Sequence, residues 1–277
     1  MRKLAAIFIA IGLTGALAMN AQADPEQDRK VFRGYYTKLF PKVKLDDFAN
    51  GVYSIDAASR EQWESIEEFP PYELAVEEGE ALFKKPFKNG KTYANCFKNG
   101  GVGIAHEYPY FDSKRREVVT LPLALNDCRS NNGENPLKYE KGDIAKILAY
   151  MGYTSRGKRY DIKIPNSDAK KAYEEGKTFY YARRGQLNMA CAHCHVDNAG
   201  KRIRADILSP ALGHPTHFPV YRAKWQDLGT LHRRFIGCNK QVRAKPFKPQ
   251  SKEYRNLEYF LTYMSNGLPS NAPGMRK

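Results

Sequence analysis

The five residues Cys191-Ala192-His193-Cys194-His195 carry the most specific chemistry in this chain of 277 residues. C-x-x-C-H in an exported protein is the attachment signature of c-type haem. Two thiols one helical turn apart add to the two vinyl groups on one edge of the porphyrin, and the next residue, His195, turns its imidazole onto the iron. Two other readings use the same residues. A zinc site would draw on Cys191, Cys194 and two of His193, His195, His214 and His217. A thioredoxin-like dithiol would need a βαβ setting, which the flanking sequence does not offer. The histidine, together with an export signal, favours haem, and one C-x-x-C-H implies one covalent haem c.

A second stretch, Leu231 to Lys240 (LHRRFIGCNK), sets Cys238 among cations. The chain has five cysteines, so at least one lacks an intramolecular partner. The sixth ligand of a haem c is commonly methionine or histidine, and Met264, Met275, His214, His217 and His232 compete with Cys238 for that place. Arg234 precedes Cys238 by four residues, which is the same face if the segment is helical. Guanidinium groups and ferric iron both favour thiolate over thiol. The same arginine can hold an oxyanion through a two-pronged, charge-assisted contact. A thiolate, an oxyanion clamp and a one-electron carrier together suggest oxidative sulfur chemistry.

Residues 1–23 read as a cleaved signal peptide. A basic start at Arg2 and Lys3 precedes an apolar run from Leu4 to Met19, and Ala21 to Ala23 form a small-x-small cleavage site. The run is shorter than the ~20 residues of a spanning helix, and no later run reaches that length. Export places the cysteines in an oxidising compartment, expected to be a periplasm. The formal charge of +15 becomes +13 when Arg2 and Lys3 leave with the signal. In an exported protein that excess points to an anionic substrate or an acidic protein partner rather than to nucleic acid.

The elements that must position these residues occur twice. Apolar groups at Ala169, Ala172, Tyr173, Gly176, Phe179 and Tyr180 predict a helix over Ser167 to Arg183, capped by Asn166 or Ser167. Tyr254, Leu257, Leu261 and Met264 predict another from about Ser251 to Asn266, stopped by Gly267. A helix before C-x-x-C-H and a helix closing the domain are the minimal cytochrome c arrangement. Ala75–Phe83 (AVEEGEALF) matches Ala172–Tyr180 (AYEEGKTFY), and Leu148–Met151 (LAYM) matches Leu261–Met264 (LTYM), in the same order. Two matches in register predict an internal duplication. The expected fold is mainly α, with two tandem cytochrome c-like domains at 24–160 and 161–277, only the second binding haem.

The register assigns the remaining cysteines. Gly79 precedes Cys96 by 17 residues and Gly176 precedes Cys194 by 18, so Cys96 stands at the second haem cysteine. Tyr93 replaces the first cysteine and Phe97 the histidine. Cys128 and Cys238 precede the closing methionines by 23 and 26 residues and are equivalent. With no porphyrin between them, Cys96 and Cys128 are expected to form a disulfide, stabilising a domain without cofactor by about a few kcal/mol. Spacing alone also allows Cys128 to pair with Cys238; the Cys96–Cys128 pair is the expectation, and it leaves Cys238 free. Two Lys-Pro-Phe-Lys segments, at 85–88 and 245–248, do not align in the repeat.

HRRFIGCN with C-x-x-C-H upstream, the two-fold repeat and the signal peptide resemble the A subunits of the SoxAX cytochromes of bacterial thiosulfate oxidation, over essentially the whole mature chain. The resemblance implies an L-cysteine S-thiosulfotransferase in which Cys238 is a haem ligand carried as a persulfide and is the reaction centre, with Arg234 contacting substrate. It implies a haem-bearing SoxX partner and a SoxYZ carrier whose cysteine receives thiosulfate. Some members hold a haem in the first half as well. Tyr93 and Phe97 remove that attachment, so this chain resembles the one-haem members. The rival reading is a plain electron-transfer cytochrome in which a methionine or histidine binds iron.

Overall fold

A computed structural model describes residues 24–276, so the expected signal peptide at 1–23 lies outside the described residues. The chain forms, in order, helices α1 (Pro25–Leu39), α2 (Ala57–Glu67) and α3 (Glu73–Lys84), then a hairpin of β1 (Tyr110–Asp112) and β2 (Glu117–Val119). Helices α4 (Leu121–Asn131), α5 (Asp143–Tyr153), α6 (Ser167–Tyr181) and the five-residue α7 (Cys191–His195) follow. A short hairpin of β3 (Arg202–Ile203) and β4 (Asp206–Ile207) leads to a 3₁₀ segment (His214–His217), and then to β5 (Val220–Arg222) and β6 (Asp227–Gly229). Helices α8 (Leu231–Gln241) and α9 (Lys252–Met264) and strand β7 (Gly274–Arg276) close the chain.

The duplication is visible in how helices cross. In the second half α6 packs on α9, and a Cβ on Gly176 would lie 2.0 Å from the Asn256 carbonyl oxygen. In the first half α3 packs on α5, and a Cβ on Gly79 would lie 2.0 Å from that of Lys146. Both glycines are where backbone meets backbone, which no side chain allows. The helix of the second half ends at Tyr181, two residues short of expectation, because Ala182 turns extended and Arg184 bridges to Met189. Asn166 and Ser251 are the N-caps, each accepting a backbone N–H three residues on.

A further repeat escaped the sequence reading. The hairpin and helix at 110–131 recur at 220–241 with a constant offset. Thr120 caps α4 as Thr230 caps α8, and Arg116 and Gln226 turn the two hairpins at φ 54° and 48°. Cys128 and Cys238 are each the eighth residue of their helix.

Two cores result. One collects Phe83, Phe87, Tyr93, Leu125, Ile147 and Met151 of the first half. The other collects Tyr173, Tyr180, Tyr254, Phe260 and Met264 of the second. Residues 25–54, grouped with the first half by the division at residue 160, bury Phe32, Tyr36 and Phe48 in the second core instead. The Lys-Pro-Phe-Lys segments differ likewise: Phe87 is buried edge-on to Tyr93, while Phe247 is part-exposed against Phe179 and Tyr254.

Candidate active site

The turn after α6 brings the C-x-x-C-H segment into the second half. Arg184 and Met189 exchange both backbone hydrogen bonds at 3.1 Å, and α7 starts at Cys191. The Ala190 N–H donates to His193 Nδ1 at 2.9 Å, which turns that imidazole to the helix start and away from any ligand role. Cys191 and Cys194 are half-buried free thiols at i and i+3 of α7. His195 Nδ1 is 2.9 Å from the Ser209 carbonyl oxygen. A carbonyl only accepts, so Nδ1 carries the proton and Nε2 keeps its lone pair for a metal.

The backbone of His195 is clamped from α1. Tyr36 donates its hydroxyl to the His195 carbonyl at 2.6 Å and accepts the Ala211 N–H at 3.3 Å; Tyr35 donates to the Val196 carbonyl at 3.0 Å. Ala211 N–H also reaches the His195 carbonyl at 3.2 Å. None of Tyr35, Tyr36 and Ser209 was found by sequence reasoning. Their partners lie 161, 159 and 14 residues away in the chain, and no local pattern marks them.

Helix α8 supplies the opposite face. Its first turn is capped by Thr230, and Arg234 and Cys238 sit one turn apart on it. Cys238 lies within hydrogen-bonding reach of the His195 imidazole, so the two side chains expected on opposite sides of one group face each other. Burial pushes the Cys238 thiol up, but Arg234, His195 and Arg222 outweigh it and bring it down to about 7. Cys191 is pushed up to about 12, chiefly by burial and then by Cys238.

Most of the competing ligands are engaged by other groups. Met264 is buried in the second core, and Met275 packs in a small cluster with Tyr72 and Leu228. His232 accepts the Gln250 N–H on Nδ1 at 3.0 Å and has Glu258 3.0 Å from Nε2. His214 Nε2 is 2.9 Å from Ser209 Oγ, and His217 is buried behind it. Among the described residues no group of three or more His, Cys, Asp or Glu side chains is arranged to hold a metal ion.

In the first half the equivalent space is filled. Tyr93 stacks on Phe83 with centroids 5.6 Å apart and is wedged by Phe87. Phe97 packs on the same core, and Cys96 is bonded to Cys128. In the second half Tyr180 aligns with Phe83, and its buried hydroxyl has no partner among the described residues. The donor set fits haem c: two free thiols a turn apart, an imidazole with its far nitrogen available, and a facing thiol.

Comparison with known proteins agrees with this geometry. The family model for the SoxA/TsdA cytochrome c domain matches residues 78–160 and 175–270. The L-cysteine S-thiosulfotransferase subunit SoxA of Chlorobaculum tepidum is 58% identical, covering 94% of this chain and 90% of that protein. The SoxA subunit of Allochromatium vinosum is 55% identical over 99% of this chain and 98% of its own length. The chain belongs to the SoxA family. A chain of the SoxXA crystal structure from P. pantotrophus superposes with a TM-score of 0.71 at 29% identity, covering 78% of this chain and 83% of that one. A cytochrome c domain implies haem c as its bound group. No helix among the described residues is long and apolar enough to cross a membrane.

Proposed function

We propose that this chain is an exported, periplasmic SoxA subunit in which Cys191 and Cys194 would hold one haem c covalently, His195 and Cys238 would bind its iron, and Cys238 is the reaction centre. The reaction is the oxidative joining of thiosulfate to a cysteine of a SoxYZ carrier. The outer sulfur of thiosulfate bonds to the carrier sulfur, giving a cysteine S–S–sulfonate, and one proton and two electrons are released. Haem, when bound, supplies a one-electron acceptor beside the sulfur, and a haem-bearing SoxX partner accommodates the second electron. The relatives named L-cysteine S-thiosulfotransferase support the reaction class.

The observation that carries the reading is the Cys238 side chain within hydrogen-bonding reach of His195, with Arg234 a turn before the thiol. Nearby cations keep sulfur anionic and nucleophilic near neutral pH. Arg234 holds the sulfonate end of the dianion and leaves its outer sulfur toward Cys238. Cys238, carried as a persulfide, mediates the new S–S bond.

The test is Cys238→Met, assayed with the haem partner and carrier present. Thioether sulfur still binds iron, so a low-spin, reducible haem is expected. It cannot form a persulfide, so thiosulfate coupling should vanish. Full turnover in this variant would leave a plain electron carrier.

A further inference from the structure

Gly237 stands immediately before Cys238, inside α8, and its backbone is helical rather than left-handed. Glycine destabilises a helix interior relative to alanine, so its presence there calls for a reason. The reason that holds at Gly79 and Gly176 does not apply. Each of those has a carbonyl oxygen 2.0 Å from its would-be Cβ, where two helices cross. Outside the helix's own nearby backbone and the two chain neighbours, a Cβ on Gly237 would come within 4 Å of only Arg234 Nη1 among the described residues. That contact, at 3.7 Å, is an ordinary one. Gly34 on α1 is open in the same sense but exposed, whereas Gly237 is half-buried beside the thiol.

The first half supplies an internal comparison. Helix α4 follows the same kind of hairpin, has the same threonine cap and carries its cysteine at the same place, yet Asp127 stands where α8 has Gly237. Asp127 is half-buried and accepts a hydrogen bond from Arg115 Nη1. A side chain is therefore tolerated at this point of the repeated unit, and the fold does not ask for glycine. Ala124 likewise stands where α8 has Arg234. Glycine and arginine occur together in the half that carries the candidate site.

The helix sets their order around its axis. At ~100° per residue, Cys238 lies about 40° to one side of Arg234 and Gly237 about 60° to the other. The buried residues Leu231, Phe235 and Asn239 fall on the Cys238 side. Exposed Lys240 falls on the Gly237 side. From the core outward the surface of α8 thus runs Cys238, Arg234, Gly237, then solvent. Arg233, also on the outer side, is drawn away: its Nη1 donates to the Leu228 carbonyl at 3.0 Å and its guanidinium lies 4.2 Å over the Trp225 ring. The Gly237 position points away from the face on which Cys238 meets His195, so it borders the approach to the site from outside.

We propose that Gly237 is a specificity-determining residue for the protein acceptor: it keeps open the lane along which the polypeptide bearing the carrier cysteine comes down against α8 to reach sulfur at Cys238. The acceptor sulfur is one short side chain away from its own backbone, and that backbone continues on both sides of it. Joining it to thiosulfate held by Arg234 therefore brings backbone close to the surface of α8, and glycine is the residue that lets another backbone approach. Thiosulfate itself is a small dianion and needs no such width. The inference rests on the coupling reaction proposed above.

The experiment compares Gly237→Ala and Gly237→Leu with the parent, each as haem-loaded protein with its partner present. Gly34→Leu controls for added bulk on an exposed helix. KM is measured separately for thiosulfate and for the carrier, alongside the visible spectrum and the melting temperature. Both Gly237 variants should melt no lower than the parent, because alanine and leucine favour helix. KM for the carrier should rise about threefold in the alanine variant and about tenfold in the leucine variant, while KM for thiosulfate moves by less than about twofold. The spectrum should stay that of the parent, and Gly34→Leu should move neither constant. Should the leucine variant melt early, the alanine variant decides by the same measures. Parent-like carrier kinetics in the well-folded variants overturn the proposal. So does a raised KM for thiosulfate alone, which gives the glycine to the small anion, or an altered spectrum, which gives it to the haem. A parent protein that fails to couple thiosulfate to the carrier would instead overturn the reaction itself.

Discussion

In the proposed reading Cys238 binds iron and also exchanges sulfur, so it needs to stay anionic without being locked away. Cys238 meets this by sitting half-buried on a helix with Arg234 one turn before it, facing an imidazole already oriented from behind by Ser209. Charge alone does not account for Arg234, since a lysine would supply that too. What lysine lacks is the planar fork that grips a sulfonate at two points. Arg234→Lys should therefore lower kcat/KM for thiosulfate about tenfold, the worth of one charge-assisted contact, mainly through KM. The visible spectrum should stay that of the unmodified protein. Unchanged kinetics with the carrier present would remove Arg234 from the substrate site. At this scale the sequence places what is local: Cys191 to His195 form one short helix, and Arg234 and Cys238 lie a turn apart on α8. It was silent about Tyr36 and Ser209, because their roles exist only once distant segments meet.

At the scale of elements, the glycines divide by what surrounds them. Gly176 sits where α6 meets α9 with an Asn256 carbonyl in the place of its Cβ, so Gly176→Ala must force two backbones apart. Overpacking of this kind costs about 1–3 kcal/mol, and here the blocked atom is backbone, so the upper end is expected. Gly34 lies exposed on α1 with nothing within 4 Å of its Cβ position. Gly34→Ala should stabilise by about 0.5–1 kcal/mol, because alanine loses less chain entropy in a helix. Thermal melts of the two variants should shift in opposite directions; equal shifts would mean that the α6–α9 crossing does not constrain the fold. The crossing itself was legible, since A-x-E-E-G occurs twice with the same apolar face. The hairpin and following helix were not. Thr120-Leu121 and Thr230-Leu231 repeat there, but short hairpin strands leave little periodicity to align, and turns are fixed by φ rather than by residue type alone.

At the scale of the whole molecule, the half proposed to lack a haem supports the helix of the half proposed to hold one. The segment between α4 and α5 holds the start of α8: Thr230 Oγ1 donates to the Tyr139 carbonyl at 2.8 Å, and the Thr230 N–H donates to that of Glu140 at 3.1 Å. Thr120 answers with a 2.7 Å bond to Gln250, and Arg255 pairs with Glu117 at 2.7 Å. The helix carrying Cys238 is thus anchored on the first half, whose own core is closed by Cys96–Cys128. That bond spans 32 residues, for which chain entropy gives about 3–4 kcal/mol. Cys96→Ala should destabilise the first half by that order. At room temperature the haem spectrum should be nearly unchanged, because the disulfide belongs to the other core. On heating, the spectral signature of Cys238 ligation should be lost at a lower temperature than in the parent protein, in step with far-ultraviolet loss from the first half, since the N-terminus of α8 loses its anchor. Circular dichroism and the visible spectrum followed in one melt decide it: Cys238 ligation that outlasts unfolding of the first half would show that α8 stands without that scaffold.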